Sequence, residues 1–82
     1  MSEEEVSWPE EFGEEPPLQA QFKKDMQAAG YTITPYWGRF YYKGWAAEVP
    51  SKDLQKAIRA TSVEVVWDNL AFDWIVYPQQ GV

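Results

Sequence analysis

Neither cysteine nor histidine occurs in this chain of 82 residues, and that double absence constrains its folding more than any motif does. Without thiols, no disulfide or thiolate metal site can hold the fold together. A domain this small buries only about 60% of the surface its unfolded chain exposes, so its stability is marginal. Side-chain packing must carry the fold. The means are visible: fourteen residues are aromatic, five of them tryptophan, and twelve of the fourteen lie beyond residue 15. Each large ring buries roughly 150–250 Å². The expectation is an aromatic core, or an aromatic core plus an aromatic binding face.

The net charge of −6 is unevenly placed. Residues 1–15 hold seven glutamates and no base, for −7, whereas residues 16–82 hold six acids and seven bases, for +1. Residues 1–16 therefore read as an acidic, flexible arm, because dense like charge and few apolar groups oppose collapse. Its large apolar residues, Val6, Trp8 and Phe12, are spaced along the acidic run. Such alternation is found in segments that dock on partners, so these three are the candidate arm-docking residues. A plain solubilising tail and an arm that folds back onto the body's lysines are the other readings of such a segment. Residues 17–82 are expected to form a single small α+β domain.

No apolar run approaches the ~18 residues of a membrane span. The acidic N-terminus is the opposite of a signal peptide's basic start. Both lead to the expectation of a cytoplasmic protein with no membrane partner.

After Pro16-Pro17, Leu18, Phe22, Met26 and Ala29 form one helical stripe with Gln19, Lys23, Lys24 and Gln27 off it, and Gly30 stands at a left-handed C-terminal cap. This predicts a helix over 18–29. Residues 31–47 read as two strands around Trp37-Gly38. Pro35 marks an edge strand or bulge, and Gly44 a further bulge. Ser51 is a natural N-cap for a second helix with Leu54, Ala57, Ile58 and Thr61 inside. Residues 63–67 and 71–77 are two more strands, with Asp68-Asn69-Leu70 as the turn. Val63, Val65 and Trp67 share one face, as do Phe72, Trp74 and Val76. The order α-β-β-α-β-β predicts a two-layer fold: a four-stranded antiparallel sheet, both helices on one face, the other face open.

The segments Tyr36–Gly44 and Trp67–Pro78 resemble those of small uncharacterised proteins of cyanobacteria. Those proteins bring no assigned activity, so the resemblance implies no functional residue.

Catalysis has little to work with. Histidine, the commonest general base, and the cysteine nucleophile are absent. No nucleophile elbow, Ser-x-x-Lys or phosphate-cradling glycine loop occurs. Asp68 and Asp73, with Glu64, are the carboxylates that could meet for acid–base work or hold Mg²⁺ or Ca²⁺, although Asp68-Asn69 is also what a turn requires. The chain is expected to be no enzyme, with no catalytic residue, no cofactor and no metal.

Binding is better provided for. Eight aromatic or basic residues fall within 36–45, and strand alternation cannot bury them all on one face. With Phe40 and Tyr42 inward, Tyr41, Lys43 and Trp45 point outward. Together with Tyr36, Trp37 and Arg39 they make the candidate binding surface, of the types enriched in interface hot spots. The competing reading packs Trp45 under a loop, or under Trp8 or Phe12. The leading functional expectation is a protein-interaction module, contacting another protein or a second copy through the open sheet face. Single-stranded nucleic acid stacking on sheet-borne aromatics is the alternative, weakened by a body charge of only +1. An acidic mimic of nucleic acid that inhibits its binding proteins is the third.

Overall fold

The computed structural model describes residues 7–37, 42–69 and 74–79. A 3-10 turn, Glu10–Phe12, precedes helix α1, Pro17–Ala28. Strands β1, Thr32–Trp37, and β2, Lys43–Val49, follow. A second 3-10 turn, Ser51–Asp53, leads into helix α2, Leu54–Arg59, and strands β3, Val65–Asn69, and β4, Trp74–Pro78, complete the domain. The sheet order is β1-β2-β4-β3, antiparallel throughout. This is an α+β fold in the expected order.

Helix α1 starts where proline is tolerated, with Pro17 in its first turn. It ends in a Schellman motif. The Tyr31 N–H reaches the Met26 carbonyl at 3.1 Å and the Gly30 N–H reaches Gln27 at 3.0 Å, with Gly30 at φ 95°. The buried stripe differs from the expected one at both ends. Phe22 and Met26 are fully buried, Leu18 is only half-buried and Ala29 is exposed. Gln19, placed off the stripe by its polarity, is buried.

Ser51 makes no side-chain cap and instead opens the 3-10 turn, behind Pro50. Of the inner face expected for α2, Ala57 is buried and Leu54, Ile58 and Thr61 are half-buried. Asp25 ties the following loop to α1: its Oδ2 accepts the Ser62 N–H and the Ser62 hydroxyl, each at 2.9 Å. The Ser62 N–H first, then the Ser62 hydroxyl, the Gln21 amide and the Thr61 hydroxyl, hold the Asp25 carboxyl below its ordinary range against a desolvation that raises it.

Pro35 stands in the edge strand β1, where a missing N–H is tolerated. No bulge occurs at Gly44: β1 and β2 pair one for one from Thr32↔Glu48 to Trp37↔Lys43. Glycine is needed there for room. A Cβ on Gly44 would stand 2.5 Å from both Gln19 Nε2 and the Tyr42 hydroxyl oxygen. The second hairpin is shifted relative to expectation. Asp68 and Asn69 are the last residues of β3, opposite Ile75 and Trp74, so Asp68 is a strand residue and not a turn residue.

The helices cover one sheet face. Phe22 and Met26 of α1, Ala57 of α2, Ile33, Trp45, Ala47, Val49 and Val76 form one buried cluster. Fully burying such a side chain stabilises by about 1.5–3 kcal/mol. The opposite face is not open as expected. Tyr42, Ala46, Ile75 and Tyr77 are buried there, with Tyr36 and Val66 packed against them. Tyr42 and Tyr77 stack with ring centroids 4.3 Å apart. The Tyr36 hydroxyl, from one edge strand, donates to Asp68 Oδ2 on the other edge strand at 2.9 Å.

One polar group joins the two faces. The β2–β4 ladder ends at Ala47↔Val76, short of Trp45, and Pro78 beyond it has no N–H for the Trp45 carbonyl. Side chains satisfy the Trp45 backbone instead: its N–H donates to Gln19 Oε1 at 2.9 Å, and its carbonyl accepts from the Tyr42 hydroxyl at 2.6 Å. Burial pushes the Tyr42 phenol well above its ordinary pKa. Among the described residues, no buried side-chain polar atom lacks a partner.

Candidate interaction surface

The six residues expected to form one binding surface are divided by the sheet. Trp45 is 0% exposed. The period-2 alternation is right and its assignment to inside and outside is reversed. Lys43, Trp45, Ala47 and Val49 share the face that the helices cover. Trp45 is therefore core, and the surface reading of Trp45 is corrected. Tyr36 belongs to the opposite, tyrosine-lined face and is half-buried there. Arg39 and Tyr41 lie outside the described residues, as do Phe40, Val6 and Asp73.

Trp37 and Lys43 remain, and they stand together. They are partners in the β1–β2 ladder, at the end of the sheet. Trp37 is 60% exposed, and the Lys43 Nζ sits 5.0 Å from its ring centroid. A cation over an exposed indole is worth about 0.5–1 kcal/mol. Trp67, on the far edge strand, is the other large exposed side chain among the described residues, at 51%. It meets Trp74 edge-on at 6.4 Å.

Residues 7–16 of the arm lie against this corner. Trp8 meets Trp45 edge-on with centroids 5.4 Å apart. Phe12 stands edge-on between Trp8, at 5.5 Å, and Trp37, at 6.3 Å. The Trp45 indole N–H donates to Glu15 Oε2 at 2.6 Å, and Lys23 Nζ lies 4.8 Å from the Trp45 ring centroid. The arm is shaped to do this. Its 3-10 turn brings Trp8 and Phe12 together, Gly13 turns the chain at φ 84°, and the Trp8 indole N–H donates to the Gly13 carbonyl at 2.5 Å. Of the expected arm-docking residues, Trp8 and Phe12 thus meet Trp45 and Trp37. Sequence reasoning missed Glu15 and Lys23, which flank the Trp45 indole. An acid just before Pro16 and a lysine nearly two turns into α1 were the only signals for them.

Asp68, the one described member of the candidate aspartate pair, is occupied by the Tyr36 hydroxyl. Among the described residues, no group of three or more carboxylates could hold a metal ion. A shallow depression of about 250 Å³ lies on the outer side of α1, lined by Glu15, Ala20, Lys23, Lys24 and Gln27. No described helix is long and apolar enough to cross a membrane.

Fold and surface together define a two-layer α+β domain with an acidic segment seated on its own aromatic–basic corner. No protein-family model, no curated protein and no solved structure matches the chain.

Proposed function

We propose that the chain is a non-enzymatic, cytoplasmic protein-interaction module whose contact surface is the aromatic–basic corner of Trp37 and Lys43, with the acidic arm docking on it for regulation. The observation that carries this reading is Trp37. A tryptophan 60% exposed on a domain that needs every ring for its core is best used on a partner, since Trp is the residue most enriched at interface hot spots. Lys43 fixes its orientation, which lowers the entropy lost on binding. Single-stranded nucleic acid fits the corner less well, because four glutamates of the arm stand beside it and the body carries only +1.

The test is Trp37→Ala in the full chain. It should abolish capture of the native partner, or self-association, while moving the thermal midpoint by no more than a few degrees. Unchanged capture would remove the corner from the reading.

One observation favours a second reading, an acidic mimic of nucleic acid. Glu10, Glu11, Glu14 and Glu15 are all exposed, on a segment held against the domain. Competition with DNA for a DNA-binding protein, lost on changing these four residues to glutamine, would establish it.

A further inference from the structure

The arm's mode of attachment indicates what the corner recognises. Residues 7–16 carry four glutamates and no base. Among the described residues, their backbone hydrogen bonds stay within the arm and the first turn of α1. Among the described residues, the arm meets the body through Trp8 on Trp45, Phe12 on Trp37, and the Glu15 carboxylate on the Trp45 indole N–H. Among its described residues no strand ladder holds it down, and at Pro16 the arm gives way directly to α1. The receiving surface has complementary chemistry. Each tryptophan has a lysine over its ring, Lys23 at 4.8 Å and Lys43 at 5.0 Å, and the indole N–H donates to a carboxylate.

Resting on the interaction-module reading, we propose that the Trp37–Trp45 corner is a receptor for acidic–aromatic peptide segments of a partner protein, and that the arm is its intramolecular occupant. The segment it takes carries two aromatic residues four apart, as Trp8 and Phe12 are, and a carboxylate three residues further on, as Glu15 is. The partner's rings replace Trp8 and Phe12, and its carboxylate takes over the indole N–H. Cation–π contact and charge favour acidic segments over neutral ones. The arm keeps Trp45 covered until a partner competes successfully. A tether this short gives the arm an effective concentration in the millimolar range, so only a segment presented at high affinity displaces it.

The probe is a fluorescein-labelled synthetic peptide with the sequence of residues 7–16. Its binding is followed by anisotropy on the full chain and on the full-length double variant Trp8→Ala/Phe12→Ala, which keeps the receiving surface and loses the arm's anchors. Apparent affinity scales with the fraction of unoccupied sites, so an arm seated nine-tenths of the time predicts at least ~10-fold tighter binding to the variant. The same peptide with its four glutamates changed to glutamine should bind several-fold more weakly, and added salt should close that gap. Absence of binding to a variant that circular dichroism shows to be folded overturns the proposal. So does equal binding of the glutamine peptide. Concentration-dependent dimers of the parent chain, without peptide capture, overturn it in favour of arm exchange between two copies. Should the double variant not fold, Glu15→Gln retains both rings and removes only the carboxylate. It should then bind the peptide more tightly than the parent, and equal binding overturns the proposal. Failure here with loss of native-partner capture by Trp37→Ala leaves the module reading standing and removes only the acidic-peptide specificity. Failure of both removes the module reading.

Discussion

The two faces of the sheet come from the same four strands, alternate residues going to each, yet they are held together by different physics. The helix-covered face is packed with Phe22, Met26, Trp45, Val49 and Val76, which need only to exclude water. Among the described residues, the other face receives no helix. It is lined with tyrosines, whose rings stack while their hydroxyls find partners: Tyr36 on Asp68, and Tyr42 on the Trp45 carbonyl. Among the described residues, that face is closed by amphipathic rings whose phenols find acceptors. One face is sensitive to lost volume. The other is sensitive to lost single atoms.

The largest expected effect is on the helix-covered face. Phe22→Ala or Trp45→Ala should cost about 3–5 kcal/mol, lowering the thermal midpoint by at least ~12 °C in a domain of this size. Equal sensitivity of the two faces to loss of volume, for instance on Ile75→Ala, would erase the contrast.

Next comes the polar joint between the faces. Tyr42→Phe removes one oxygen and leaves the Trp45 carbonyl without its donor, for about 1–3 kcal/mol. Gly44→Ala should cost a similar amount, because the new methyl displaces Gln19 from the Trp45 N–H. Denaturant titration measures both. A neutral Tyr42→Phe would mean that the tyrosine face is held by ring packing alone.

The joint also titrates. The Tyr42 pKa is raised in the folded state, so its contribution is fully present below the ordinary phenol value of about 10 and declines as pH rises beyond it. Absorbance of the phenolate during alkaline titration should show Tyr42 ionising only as the chain unfolds, and Tyr42→Phe should remove that late step.

The smallest effect belongs to the helix side's outer tie. The Asp25 pKa is lowered, so its contribution is present above the ordinary carboxyl value of about 3.9 and is lost as pH falls through the folded value. Asp25→Asn should flatten the acid limb of the stability profile and leave neutral stability within about 1 kcal/mol. Acid unfolding that does not change on this substitution would show that the loop tie contributes nothing.

Element order and the two hairpin pairings were legible in the sequence because they depend on local chemistry, whereas the β2–β4 pairing that joins the hairpins was not. Pro17 and Gly30 bound α1, Pro35 marks an edge, and runs of alternating residues become strands. Burial was legible only in part. Phe22 and Met26 reveal themselves through helical spacing, but Gln19 could not be recognised as core. Its burial depends on the β2–β4 ladder ending at Ala47↔Val76, short of Trp45, whose N–H then needs an acceptor. Asp68-Asn69 reads locally as a turn, and only the Tyr36 hydroxyl arriving from the far edge strand gives Asp68 a buried role.

For the candidate site, the residue types were legible and their grouping was not. Alternation dictates which side chains share a face, because successive strand residues point to opposite sides. It does not say which face the helices will occupy. The sequence by itself therefore determined an acidic arm, an aromatic-rich α+β body and a hairpin dense in Tyr, Trp and Lys. The assembled fold decided that Trp45 lies inside, under α1 and Trp8, and that Trp37, on the same face at the end of the sheet, lies outside beside Lys43. A helix covers whichever face lets its own apolar stripe leave water, and that match is made only once the whole sheet is assembled.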